Sequence, residues 1–268
     1  MQEWVKQILD HARSWENAGL AWLPPGEGPA WRPPAAAAGE PTPIPSATSI
    51  TQIDVPQPHQ ALNNMFIEPI TARTSLSLEE RRITLQTLND EQVKGCRLCS
   101  ELVRHRTQTV FGVGNLEAEL CFVGEAPGAD EDAQGEPFVG AAGQLLNKII
   151  EACKLKRSDV YICNVLKCRP PKNRTPLPDE VKNCRPYLER QLEVIQPKYI
   201  CCLGAVAAQA LLDSNLAIGK LRKAFHQYRG IPVVCTYHPA YLLRNPNAKR
   251  DVWDDMKMLM AKMGRPVA

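Results

Sequence analysis

The sequence predicts an α/β protein: a three-layer α/β/α sandwich around a central, mostly parallel four-stranded sheet. Two observations carry this. Short apolar runs, rich in β-branched residues, recur at Leu120–Val123, Val160–Cys163, Tyr199–Leu203 and Ile231–Cys235. Segments with helical spacing of apolar residues lie between them, and strands separated by helices pair in parallel with both faces covered. In such sheets ligands sit at the carboxyl ends of the strands. That rule singles out Gly124–Gly128, Asn164–Arg169 and Thr236–Pro246.

Each element has a local reason. Ser77-Leu78-Glu79-Glu80 fits a capping box and opens a helix to about Lys94. Leu145, Leu146, Ile149, Ile150 and Cys153 give helical spacing over Gly143–Cys153. Pro178 stands at the start of a helix to Ile195, and proline is favoured at the first helical position. Ala205–Leu212 and Asp251–Met263 read as the remaining helices.

The N-terminal part differs. Residues 1–20 fit a short amphipathic helix, and Trp22–Pro58 is rich in Pro and Ala. Proline blocks helix interiors and sheet centres, so this stretch reads as a flexible or extended linker. The expected division is an N-terminal extension, residues 1–76, whose partner would be another protein, and a catalytic domain, residues 77–268.

Composition bounds the class. The chain is 44% hydrophobic and 23% charged, with a net charge of +3, which neither demands nor excludes a nucleic-acid partner. No apolar run is long enough to span a bilayer, so no membrane association is expected. The first residues lack a secretory h-region. Ten cysteines without such a signal predict a reducing, cytoplasmic compartment, where thiols serve as core residues, ligands or catalysts. A monomer is expected.

Cys121, Cys163, Cys201, Cys202 and Cys235 lie in apolar strands, and Cys153 on a helix face, so all six read as core residues. Cys96, Cys99, Cys168 and Cys184 stand instead in polar, basic, loop-like sequence. Neighbouring Lys and Arg favour thiolates. Four thiolates suit a structural zinc or a [4Fe–4S] cluster; spacing does not choose between them, with zinc slightly favoured.

The strand ends carry Gly124-Glu125-Ala126-Pro127-Gly128, then Pro137-Phe138-Val139-Gly140, Asn164 with Lys167-Cys168-Arg169-Pro170-Pro171, and His238-Pro239 with Leu242-Leu243-Arg244-Asn245-Pro246. Together these motifs resemble the uracil-DNA glycosylase superfamily, and its iron–sulfur (family 4) type most closely, from about Cys96 to the C-terminus. The resemblance implies excision of uracil from DNA by hydrolysis of its N-glycosidic bond, and a [4Fe–4S] cluster on Cys96, Cys99, Cys168 and Cys184, with zinc the alternative.

It also implies site roles. Glu125 and His238 are the catalytic candidates. His238 donates to uracil O2, where negative charge develops, and Glu125 orients water or stabilises the sugar cation. Ala126, Glu131, Phe138 and Asn164 bind the base. Phe138 offers a stacking face, and Asn164 accepts from N3–H and donates to O4, a pattern cytosine inverts. Glu131 blocks the thymine methyl. Leu242 and Leu243 are candidate wedges that hold the DNA open, with Arg244 beside them on the DNA. Lys167, Arg169, Lys172 and Arg174 are expected to face phosphates.

Two departures stand out: Ala126 where many relatives carry Gly, and Ala240 where the wider superfamily often has Ser. The competing readings are a relative that becomes covalently trapped on the uracil site, and a non-catalytic DNA-binding module with a Cys-ligated metal. The first lacks its basic, His-containing insertion here. The second has no use for a base pocket.

Overall fold

The computed structural model describes residues 76–267, all within one compact unit, Ile70–Ala268. The N-terminal helix and Pro/Ala-rich linker expected above lie outside the described residues.

Helix α1 spans Leu78–Thr87 and continues as a π-helical turn over Leu88–Val93. Its capping box is formed: Ser77 Oγ accepts from Glu80 N–H at 3.3 Å, and Ser77 N–H donates to the Glu80 carboxylate at 2.8 Å. There follow α2 (Ser100–His105), β1 (Val113–Gly114), β2 (Leu120–Gly124), α3 (Ala129–Gln134), α4 (Ala141–Ala152) and β3 (Tyr161–Asn164). Next come α5 (Pro178–Ile195), β4 (Tyr199–Leu203), α6 (Ala205–Leu212), α7 (Ile218–Leu221) and β5 (Phe225–Tyr228). The chain closes with β6 (Ile231–Thr236), α8 (Pro239–Arg244) and α9 (Lys249–Lys262).

The α/β class agrees with the sequence, but the mostly parallel four-stranded sheet is corrected to a mixed six-stranded one. The sheet has six strands in the order β1-β3-β2-β4-β6-β5. The inner pairings, β3 with β2, β2 with β4 and β4 with β6, are parallel. Both edges are antiparallel. The cause at one edge is a tight hairpin: Tyr228 pairs with Ile231 across Arg229 and Gly230, both at positive φ (48° and 81°). A two-residue turn can only join antiparallel strands.

Side-chain alternation builds two cores. Cys121, Val123, Tyr161, Cys163, Ile200, Cys202, Val233 and Cys235 face one side, with residues of α1, α2, α5 and α6. Leu120, Phe122, Ile162, Cys201, Leu203 and Val234 face the other, with α4, α8 and α9. Every cysteine expected in the core is there: Cys121, Cys163, Cys201, Cys202 and Cys235 are 0% exposed and Cys153 1%. The parallel strands all end at one edge, which places Gly124, Asn164, Gly204 and His238 together.

Candidate active site and cysteine pocket

Gly124 and Asn164 are register partners at the ends of β2 and β3. A Cβ on Gly124 would overlap Asn164 Oδ1 and reach the Phe138 ring at 2.5 Å, so only glycine allows this approach. Asn164 is 2% exposed, and its Oδ1 is buried without a hydrogen-bond partner. Such an orphaned acceptor is costly unless a ligand satisfies it.

Phe138 is 5% exposed and adopts φ 55°, a conformation rare for an aromatic residue. The surroundings impose it. The Glu131 carboxylate accepts from Val139 N–H and Gly140 N–H, both at 3.0 Å, and from Gly128 N–H at 3.0 Å. Arg157 donates to Pro137 O at 2.6 Å. Gly143 gives the room: a Cβ there would run into the Phe138 backbone. Glu131 therefore ties the loop after β2 to the loop carrying Phe138. Arg157, unremarked in the sequence, shares that task.

The Phe138 ring lies 5.5 Å from the His238 ring, tilted by 31°. His238 is the N-cap of α8, with Pro239 at the first helical position. Its Nδ1 accepts from Ala240 N–H at 3.1 Å. Burial pushes its pKa down to about 4, with Arg244 adding to the depression and Glu131 opposing it. The imidazole is thus neutral at pH 7. Gly204, at φ 95°, backs it: a Cβ there would meet His238 Cβ at 3.1 Å. Glu125 is half-buried just past β2, and burial raises its pKa above the ordinary 4.5. Ala126 is half-buried against the core on the α5 side.

The two leucines divide. Leu242 is 1% exposed and packs in the core against α4 and α9 residues, so the wedge expectation is corrected for it: it cannot reach DNA without leaving the core. Leu243 is 49% exposed, and Arg244 beside it is exposed.

Cys96, Cys99, Cys168 and Cys184 line one pocket, with Leu102, Val103, Arg106, Glu180 and Asn183. They come from three separate segments: the turn before α2, the loop after β3, and α5. Three of the sulfurs accept hydrogen bonds. Arg106 donates to Cys168 Sγ at 2.9 Å, Lys167 N–H to Cys184 Sγ at 3.2 Å, and Asn183 to Cys99 Sγ at 3.5 Å. Burial raises the Cys99 and Cys168 thiols, and pushes Cys184 up to about 12. Among the described residues no group of three or more His, Cys, Asp or Glu is drawn together closely enough to hold a metal ion. The residue types fit a thiolate-bound centre: four sulfurs line the pocket, and N–H donors turn toward three of them.

The basic residues after β3 are corrected in part. Lys167 is 1% exposed, turned inward. Arg174 pairs with Glu101 and Glu180, each at 2.7 Å, and so braces the pocket. Only Lys172 among these residues is exposed.

A family description of the uracil DNA glycosylase superfamily matches residues 111–257. The chain is 44% identical over 191 residues to the type-4 uracil-DNA glycosylase of Archaeoglobus fulgidus, covering 68% of this chain and 96% of that one. It is 44% identical over 180 residues to the type-4 enzyme of Thermotoga maritima, covering 66% and 93%. The type-5 uracil-DNA glycosylase of Pyrobaculum aerophilum is 34% identical over 149 residues, covering 48% and 64%. The matched residues contain Asn164, Phe138 and His238, and the chain belongs to the uracil DNA glycosylase superfamily.

Proposed function

We propose that residues 77–268 form a uracil-DNA glycosylase of the type-4 kind, which excises uracil and leaves an abasic site for base excision repair. The observation that carries this reading is the orphaned Asn164 Oδ1, buried against Phe138 and Gly124. It supplies the acceptor that uracil N3–H needs, and the amide nitrogen supplies the donor for O4.

A base in a duplex is out of reach, so the nucleotide swings out into the pocket. Exposed Leu243 would enter the gap in the stack, and Arg244 would meet the backbone. Phe138 stacks on the pyrimidine, worth about 1–3 kcal/mol. Bond cleavage sends negative charge onto uracil O2. With Nδ1 occupied by the Ala240 amide, the His238 proton sits on Nε2, which donates to that oxygen without a net charge. Glu125, in its ionised form, steadies the sugar cation or orients the attacking water. Glu131 holds the Phe138 loop through the backbone, and in that position would block the thymine methyl.

Cys96, Cys99, Cys168 and Cys184 would hold a [4Fe–4S] cluster. When bound, such a cluster serves as a structural cross-link between α2, the loop after Asn164 and α5. Uracil-containing oligonucleotides, assayed for free uracil and abasic sites, test the reading. Release of uracil but not of thymine or cytosine is expected; no release from single- or double-stranded substrate by iron-loaded protein refutes it.

A further inference from the structure

Lys167 joins the base-reading residue to the cysteine pocket. Its Nζ donates to the Asn164 backbone carbonyl at 2.8 Å and to Gln191 Oε1 at 2.5 Å. Its own N–H donates to Cys184 Sγ at 3.2 Å, and its carbonyl accepts from Val110 N–H at 2.8 Å. Gln191 is itself held: 0% exposed, it donates to Phe111 O at 2.9 Å and to Tyr161 Oη at 3.1 Å.

Lysine is almost never wholly buried, because its amino group loses water and needs partners in return. An apolar side chain would suit a core position better. Here the two acceptors of Nζ are the carbonyl of the last residue of β3 and a glutamine fixed from two sides. The Asn164 amide oxygen has no partner of its own. Its aim is therefore set through the backbone that Lys167 grips. Past the Gly124–Asn164 register pair, Val165 N–H and Leu166 N–H still donate to Gly124 O and Glu125 O at 2.9 and 3.0 Å, and the Lys167 grip adds a hold on the Asn164 carbonyl itself.

We propose that Lys167 is a positioning residue for base recognition. With Gln191 as its anchor it locks the backbone of Asn164, and through Cys184 it ties that lock to the cysteine pocket. This rests on the uracil-excising function proposed above.

The test uses full-length, iron-loaded protein and three readouts: single-turnover uracil excision, inhibition by free uracil, and affinity for abasic-site DNA. Lys167→Met keeps the length of the stem and removes the donors. Excision and free-uracil binding should each weaken about tenfold or more, the scale of a misaligned buried hydrogen bond. Affinity for abasic DNA, which offers no base, and iron content should match the parent. Gln191→Leu should shift the same two readouts in the same direction, and carries the test if Lys167→Met does not fold. Unchanged free-uracil inhibition in both variants overturns the proposal. So does a parallel loss of abasic-DNA binding and iron, which would make Lys167 a general structural residue. Failure of the parent protein to release uracil would instead overturn the functional reading itself.

Discussion

His238 Nδ1 accepts the Ala240 backbone N–H at 3.1 Å, which leaves the ring's proton on Nε2, on the side away from α8. Burial disfavours the charged ring, with Glu131 opposing and Arg244 adding to the effect, and the pKa falls from 6.5 to about 4. The folded state thus binds fewer protons than the unfolded chain between these values. The stability contributed by neutral His238 is complete above pH 6.5 and is lost as the pH falls toward 4. The single-turnover rate should show no inflection at the ordinary histidine pKa. Its acid limb should begin with Glu125, whose carboxyl is held above 4.5 by burial, and the Glu125→Gln variant should retain only the fall near pH 4. A profile with its midpoint at 6.5 would show that His238 is open to solvent.

His238→Ala should slow cleavage by about 10²–10³ while leaving DNA affinity nearly intact, because a donor aimed at developing charge acts in the transition state. Unchanged single-turnover rates with weakened binding would make His238 a DNA contact.

Asn164→Asp is the sharper probe of base reading. An ionised carboxylate repels uracil O4 and the anion forming on the ring, so uracil excision should collapse. In its protonated form it can donate to cytosine N3 and accept from the exocyclic amine, so a weak cytosine activity should emerge. Matched oligonucleotides with uracil or cytosine at one position measure both. Near-normal uracil cleavage would mean that another group reads the base.

Adjacent Leu242 and Leu243 should behave oppositely. Leu242→Ala opens a cavity in the core and should cost about 2–5 kcal/mol of stability. Leu243→Ala should leave the melting temperature unchanged and slow excision from duplex DNA more than from single strands, where no stack must be opened. Equal effects on both substrates would remove Leu243 from the wedge role.

Anaerobically purified protein should be brown and contain iron, and substituting Cys96, Cys99, Cys168 or Cys184 by Ser should bleach it. Stoichiometric zinc without iron would replace the cluster by a structural zinc. Burial pushes the Cys184 thiol up to about 12, so loading must displace its proton, and reconstitution should be faster at higher pH.

The sequence by itself determined the inner strands, the main helices and the division of the cysteines. These features depend on local pattern: apolar runs, helical spacing, a capping box, and thiols in apolar or basic settings. The motif residues at the strand ends were legible for the same reason, since a parallel sheet brings successive strand ends to one edge. The edge strands were not legible. Val113–Gly114 is too short to show a period, and Phe225–Tyr228 is recognisable only through the Arg229-Gly230 turn. Nor could sequence separate Leu242 from Leu243, because adjacent residues on a short helix face different surroundings that only packing defines. Lys167 was the clearest reversal. A lysine in a basic loop reads as a phosphate contact, yet the tertiary structure turns it inward, where two fixed acceptors, Asn164 O and Gln191 Oε1, make its burial tolerable.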